Sequence, residues 1–214
     1  MTIYLMQGEY LSECTYLVVE EGKALIIDPG ASSDRIICEC GRIGATPIAV
    51  LLTHGHLDHT FGVQGLMEKG VKVYAHKEEF AVTQGRANLA LAFGLKERSF
   101  TPDVALKDDE ELAIDPFIVK VLHTPGHTQG GVCYLIGNAL FSGDTLFPGS
   151  YGRTDFPTGD EQDLICSIAN VLFELPRETE VYCGHADATP DARISSPQST
   201  IAEEYTTNPI LYLL

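Results

Sequence analysis

The sequence predicts a mixed α/β or α+β domain, and three observations carry that prediction. Aliphatic and β-branched runs of strand length recur through both halves of the chain. Segments with apolar residues at helical spacing lie between them. No linker is evident between the halves, so residues 1–214 are read as a single domain, large enough to bury a substantial core.

The elements follow in order. Thr15 to Glu20 and Ala24 to Asp28 read as strands split by Glu21-Gly22-Lys23, a hairpin signal, and Asp28-Pro29-Gly30 closes the second as a turn. Ser33 is the expected cap of a helix whose Ile36, Ile37, Cys40 and Ile43 share a face. Pro47 restarts the chain, and Ile48 to Leu52 reads as a strand buried on both faces. A helix is expected from about Phe61 to Lys69, a strand over Val71 to Ala75, and a helix over about 77–94, where no proline interrupts. Lys107 to Glu111 is polar and reads as a loop or turn. Ile118 to Leu122, Val132 to Ile136 and Ala139 to Phe141 are the next strands. Thr158-x-x-Glu161 reads as a capping box for a helix carrying Leu164, Ile165, Ile168, Leu172 and Phe173, which Pro176 stops. Glu180 to Cys183 is a short strand, and Ser196-Pro197 is the expected start of the last helix.

Composition narrows the function. Hydrophobic residues make up 44% and charged residues 21%, which is globular rather than disordered. The formal charge of −16 repels phosphate backbones and anionic lipid, and no run of Lys or Arg offsets it. Neither nucleic acid nor a membrane is therefore an expected partner. The N-terminus lacks a basic segment followed by an apolar one, and no stretch reaches the roughly 18 apolar residues of a span. The six cysteines are scattered, Cys38-Glu-Cys40 has no matching second pair, and reduced thiols in the cytoplasm are expected.

Directly after the buried strand comes Thr53-His54-Gly55-His56-Leu57-Asp58-His59, with four potential metal ligands in six residues. Chance would give H-x-H-x-D-H roughly once in two thousand chains of this composition, so accident explains it poorly. Alternate residues at a strand end share a face, which turns His54 and His56 one way and leaves Asp58 and His59 for a second position. Two histidines do not close a zinc site. His127, Asp144 and His185 each follow a strand, and a glycine just before a ligand allows unusual φ and close approach. His76 and His123, also near strand ends, read as satisfied polar groups or as partners that orient ligands.

Four strings, T-H-G-H-L-D-H (53–59), T-P-G-H-T-Q-G-G (124–131), F-S-G-D-T-L-F (141–147) and Y-C-G-H (182–185), together resemble the metallo-β-lactamase superfamily. Within it the chain is similar to small single-domain glyoxalase II-like (hydroxyacylglutathione hydrolase-like) hydrolases. The resemblance implies a four-layer αββα sandwich and two divalent metal ions, with zinc foremost and iron or manganese also suited. It implies that His54, His56 and His127 hold one ion, that Asp58, His59 and His185 hold the other, and that Asp144 bridges them. The implied reaction is attack of a bridging hydroxide on an acyl carbon, with Asp58 also steering a proton. A net positive centre suits a small anionic acyl substrate, a thioester foremost, with Arg153 and Tyr151 beside it as substrate-binding residues. The chain departs from two-domain glyoxalase II enzymes in lacking their longer C-terminal helical region, and residues 186–196 look inserted beside the site. Gly152 to Phe156, G-R-T-D-F, also resembles persulfide dioxygenases of this fold, which use a single iron. That activity, lactone or ester hydrolysis, and a non-catalytic metal-binding module are the alternatives.

Overall fold

The computed structural model describes residues 1–96, 98–185, 193–194 and 198–214. In chain order the first strands are β1 (Thr2–Gln7), β2 (Cys14–Glu20), β3 (Lys23–Ile27), β4 (Thr46–Leu51), β5 (Lys72–His76) and β6 (Val104–Leu106). Next come β7 (Glu111–Ile114), β8 (Phe117–His123), β9 (Val132–Ile136), β10 (Ala139–Gly143), the ribbon β11 (Leu146–Phe147) and β12 (Ser150–Tyr151), and β13 (Glu180–Cys183). The last two are β14 (Arg193–Ile194) and β15 (Ser199–Thr200). One sheet runs β14-β1-β2-β3-β4-β5-β6 and the other β15-β13-β10-β9-β8-β7. From β3 to β6 the pairing is parallel, which demands crossovers; helix α1 (Ser33–Arg42) makes one, and α2 (Leu57–Thr60) with α3 (Val63–Glu68) makes the next.

Period-two alternation explains the layering. Leu25, Ile27, Ala49 and Leu51 of the first sheet meet Val119, Val121, Tyr134 and Phe141 of the second in a shared apolar layer. Ala24, Ile26, Val50 and Val73 point the other way and bury Ile36, Cys40, Val63 and Leu66 of α1 and α3. On the far side, Leu122, Cys133, Leu140 and Val181 bury Leu164, Ile168 and Leu172, together with Ile201. Three apolar layers between four tiers of structure make the αββα sandwich that the resemblance implied.

Several expected boundaries move. Thr2–Gln7 is a strand that apolar alternation did not announce, because only Ile3 and Met6 are buried. Ser32, not Ser33, precedes α1, and it makes no side-chain capping bond. Residues 77–94 are not one helix: α4 (Phe80–Thr83) is flanked by 3-10 turns at Lys77–Glu79, Arg86–Asn88 and Ala90–Phe93. Asn88 breaks the run, because its Oδ1 accepts from Ala90 N at 2.9 Å and its Nδ2 donates to Arg98 O at 2.9 Å. Leu89, between the turns, is left-handed with φ of 64°. The cap of α5 (Glu161–Ser167) is Asp160, whose carboxylate accepts from Asp163 N, whereas Thr158 sits at a φ of 73° and cannot serve. A π-helical turn over Ile168–Leu172 continues α5. Ser196 and Pro197 lie outside the described residues; α6 (Ile201–Thr207) starts from a Thr200/Glu203 capping box.

Two tyrosines tie the sheets together next to the ligand-bearing ends. The Tyr134 hydroxyl on β9 donates to Leu52 O, 2.6 Å away at the end of β4, and Tyr16 on β2 donates to Cys183 O, 2.7 Å away on β13. Each carbonyl lies two residues before a histidine, His54 or His185. Tyr134→Phe leaves a buried carbonyl unpaired, so we expect a loss of about 1–2 kcal/mol, read as a lower urea midpoint at unchanged slope.

Candidate metal centre

All seven residues singled out in the sequence gather at one end of the two sheets. β4 delivers His54, and His56 stands at the extended residue that opens α2. One turn of α2 then carries Asp58 and His59 inward, both buried. β8, β10 and β13 end just before His127, Asp144 and His185. Two glycines are required by geometry. Gly143 has a φ of 48° and a side chain there would strike Thr53, while a side chain at Gly184 would collide with the Asp144 carboxylate.

His54, His56 and His127 each offer one nitrogen, all within 4.8 Å of one another, and Asp58, His59 and His185 do the same with a carboxylate and two imidazoles. His127 Nε2 lies 3.0 Å from His56 Nδ1, and His59 Nε2 lies 3.2 Å from His185 Nε2. Asp144 stands between the clusters. Its Oδ1 is 3.3 Å from His59 Nε2, and its Oδ2 is 3.3 Å from His185 Nε2 and 3.5 Å from His127 Nε2.

Hydrogen bonds behind the rings decide which nitrogens face inward as lone pairs. His127 Nδ1 donates to Arg153 O at 2.7 Å and His185 Nδ1 donates to Leu11 O at 3.0 Å. A carbonyl oxygen only accepts, so each ring carries its proton there and turns a bare Nε2 to the centre. Thr53 gives its hydroxyl proton to Asp28, leaving its oxygen to accept from His54 Nδ1 at 3.1 Å. Asp28 Oδ2 lies 3.0 Å from His59 Nδ1 and accepts that proton. His54 Nε2, His56 Nε2 and Asp144 Oδ1 are buried with no hydrogen-bond partner. Converging lone pairs and carboxylates repel one another unless positive charge stands among them, so this donor set fits divalent cations.

Proton affinities point the same way. Burial, with the neighbouring imidazoles His59 and His56, pushes His54 well below the usual imidazole range, and burial with His127 does the same to His56. At His59 burial also opposes the charged form, but Asp144 and Asp58 overcome it and hold the pKa well above normal. His185 is raised for the same reason, with Asp144 outweighing burial.

Three supporting residues were not picked out in the sequence. Asp28, read there as part of a turn, accepts from Thr53 N at 2.7 Å and orients His59; its own φ of 47° is strained. Thr53 relays between them. Glu79 is fully buried, its Oε2 accepting from Gly55 N at 2.7 Å and its Oε1 from Gly130 N at 3.0 Å. One carboxylate thus clamps the loop between His54 and His56 to the loop after His127. Burial raises the Glu79 pKa to about 7, and the two backbone donors only partly counter it.

His76 and His123 stack on each other at 4.3 Å and share Asp108, with His76 Nε2 2.8 Å and His123 Nδ1 3.6 Å from its oxygens. They form a polar cluster apart from the centre, but the expected satisfied polar group is only half met at His76, whose Nδ1 is buried without a hydrogen-bond partner. Tyr151 and Arg153 line the cleft above the centre. The Arg153 guanidinium is engaged by Asp155, with two contacts of 2.6 Å, and lies 4.0 Å over the Phe156 ring. Of the loop 186–196, only Arg193 and Ile194 are described; they pair with Leu5 and Tyr4 of β1. No helix among the described residues is long and apolar enough to cross a membrane.

Comparison with known proteins agrees with this geometry. A family model described as the metallo-beta-lactamase superfamily matches residues 12–185. Hydroxyacylglutathione hydrolase GloC of Haemophilus influenzae is 34% identical over 94% of this chain and 93% of its own length. The crystal structure of BLEG-1 B3 metallo-beta-lactamase matches with a TM-score of 0.87 at 32% identity, covering 98% of this chain and 99% of that one. TTHA1623 in a di-iron-bound form matches with a TM-score of 0.81 at 33% identity, covering 96% and 98%.

Glu79 sets a pH dependence. Its folded pKa of about 7 exceeds the ordinary 4.5, so the folded chain binds more protons across that window. Its contribution to stability is full below pH 4.5 and is lost as pH rises through 7. Urea melts should show wild type losing on the order of 2 kcal/mol relative to Glu79→Gln between those limits. Equal pH slopes for the two proteins would contradict the assignment.

Proposed function

The chain belongs to the metallo-beta-lactamase superfamily, and from that premise we propose that it is a binuclear metal-dependent hydrolase of a small anionic acyl substrate, a thioester foremost, as in glyoxalase II-like enzymes. The observation that carries the reading is Asp144, whose two oxygens lie within 3.5 Å of imidazoles from both clusters. His54, His56 and His127 would hold one ion, Asp58, His59 and His185 the other, and Asp144 both. Ions held there supply Lewis acidity toward an acyl oxygen and bring a water's pKa toward neutrality. Zinc suits these nitrogen and oxygen donors, as do iron and manganese.

The chain's own residues do the rest. Asp28, Thr53 and the Leu11 and Arg153 carbonyls fix the histidine tautomers and hold the ring nitrogens in place. Asp58 lies in the cleft floor beside His185, 3.5 Å from its Nε2, where a carboxylate can also steer a proton. In net chemistry, water adds to the acyl carbon, the carbon–sulfur bond breaks, and a carboxylate, a protonated thiol and one proton are released. The scattered cysteines of the sequence suit a reducing compartment such as the cytoplasm, and we treat residues 1–214 as one domain.

Metal analysis by mass spectrometry should find about two ions per chain. The loaded protein should hydrolyse S-lactoylglutathione or simpler acyl thioesters, and His54→Ala or Asp144→Asn should cut turnover at least about a thousandfold. A single iron per chain, with oxygen consumed in the presence of glutathione persulfide, would replace the hydrolase with the dioxygenase reading.

A further inference from the structure

The cleft over the metal centre has two unlike parts. Its floor is made of His56, Asp58, His127, Asp144 and His185. Its walls are mainly apolar, with Leu11, Leu89, Ala92, Phe93, Phe147 and Phe156 beside Ser150, Tyr151 and Arg153. The cleft holds about 450 Å³, within the usual range for a small-molecule site. Leu89, Ala92 and Phe93 come from the segment where Asn88 breaks the expected helix, so that break is what turns an apolar edge toward the centre.

Charge on the walls is nearly cancelled. Arg153 is the only Lys or Arg among the described lining residues, and both its Nε and a terminal nitrogen already donate to Asp155 at 2.6 Å. A glutathione leaving group brings two carboxylates, which would meet no unpaired cation among the described lining residues. An uncharged hydrocarbon chain would meet six apolar side chains in continuity with the reacting position.

Resting on the thioester-hydrolase reading above but not on its anionic substrate, which it replaces, we propose that the preferred substrates carry an apolar acyl chain, lodged between Leu89, Phe93 and Phe147, and an uncharged thiol. Binding energy from such a chain, remote from the scissile bond, raises kcat/KM when the wall contacts persist in the transition state.

The experiment uses the full-length, metal-loaded protein and acetyl, butanoyl, hexanoyl and octanoyl thioesters of N-acetylcysteamine. Each pair of added methylenes should raise kcat/KM about tenfold until the cleft is filled. Octanoyl should outperform S-lactoylglutathione, and the double variant Leu89→Ala/Phe93→Ala should cut the octanoyl-to-acetyl ratio about tenfold. A flat response to chain length, or a glutathione thioester favoured about tenfold over the octanoyl one, overturns the proposal. Calorimetric binding of octanohydroxamate and acetohydroxamate separates this outcome from failure of the hydrolase reading. If no thioester is cleaved yet octanohydroxamate binds at least about tenfold tighter, and the double variant abolishes the difference, the apolar subsite stands and thioester hydrolysis falls. Equal affinity for both hydroxamates removes the subsite itself.

Discussion

Five imidazoles and two carboxylates crowd one end of this molecule, with ring nitrogens as close as 3.0 Å and carboxylate oxygens 3.3 Å from imidazole nitrogens. In a buried setting such an arrangement is costly, because lone pairs and negative charge face one another without water. The remainder of the fold supplies what holds it. Parallel-paired strands β4, β10 and β13 and the antiparallel β8 deliver the ligand loops. Tyr16 and Tyr134 fasten two of those loops to the opposite sheet through buried hydroxyls. Glu79 fastens the His54–His56 loop a second time, at Gly55, and adds the loop after His127, at Gly130. Oxygens outside the ligand set settle the tautomers of His54, His59, His127 and His185, so most of the centre is preorganised to receive cations.

The legible part of this site was legible because its ligands are contiguous or follow strands. His54, His56, Asp58 and His59 fall within six residues, and the strings around His127, Asp144 and His185 keep a glycine beside the ligand. Strands whose residues are buried on both faces were also readable, since they present unbroken aliphatic runs. What escaped was whatever depends on a distant backbone atom. Asp28, Glu79, Tyr16 and Tyr134 act on Thr53 N, Gly55 N, Cys183 O and Leu52 O, and nothing in their local sequence names those partners. The expected helix over 77–94 failed for a related reason. Asn88 is compatible with a helix by spacing, yet its amide serves the neighbouring backbone and Arg98 O instead. Thr158-x-x-Glu161 matched a capping pattern, but the chain turns at Thr158 and gives the task to Asp160, two residues on.

Outside the centre the chain is strongly acidic, and this bears on how the site works. A formal charge of −16 discourages polyanions at long range, although salt screens exposed charge beyond about 8–10 Å. The attraction felt by an acyl substrate is therefore local to the cleft, where low-dielectric walls shield it less. Arg153 adds little to that attraction, being paired at the surface with Asp155. On the proposed reading, selectivity comes from the shape and polarity of the walls.

Those walls also have a chemical consequence. Phe147, Phe156, Leu89 and Phe93 line the cleft beside the ligand cluster, where apolar side chains disfavour water while the floor stays polar. Electrostatic interactions among Asp144, Asp58 and whatever cations they hold are stronger there than in open solvent. An apolar chain placed against the same side chains would deepen that exclusion, so binding of the remote group and activation at the centre are coupled through one surface. The break at Asn88 is thus part of the site: a continuous helix over 77–94 would carry Leu89 and Phe93 on a different course and leave the centre without that wall.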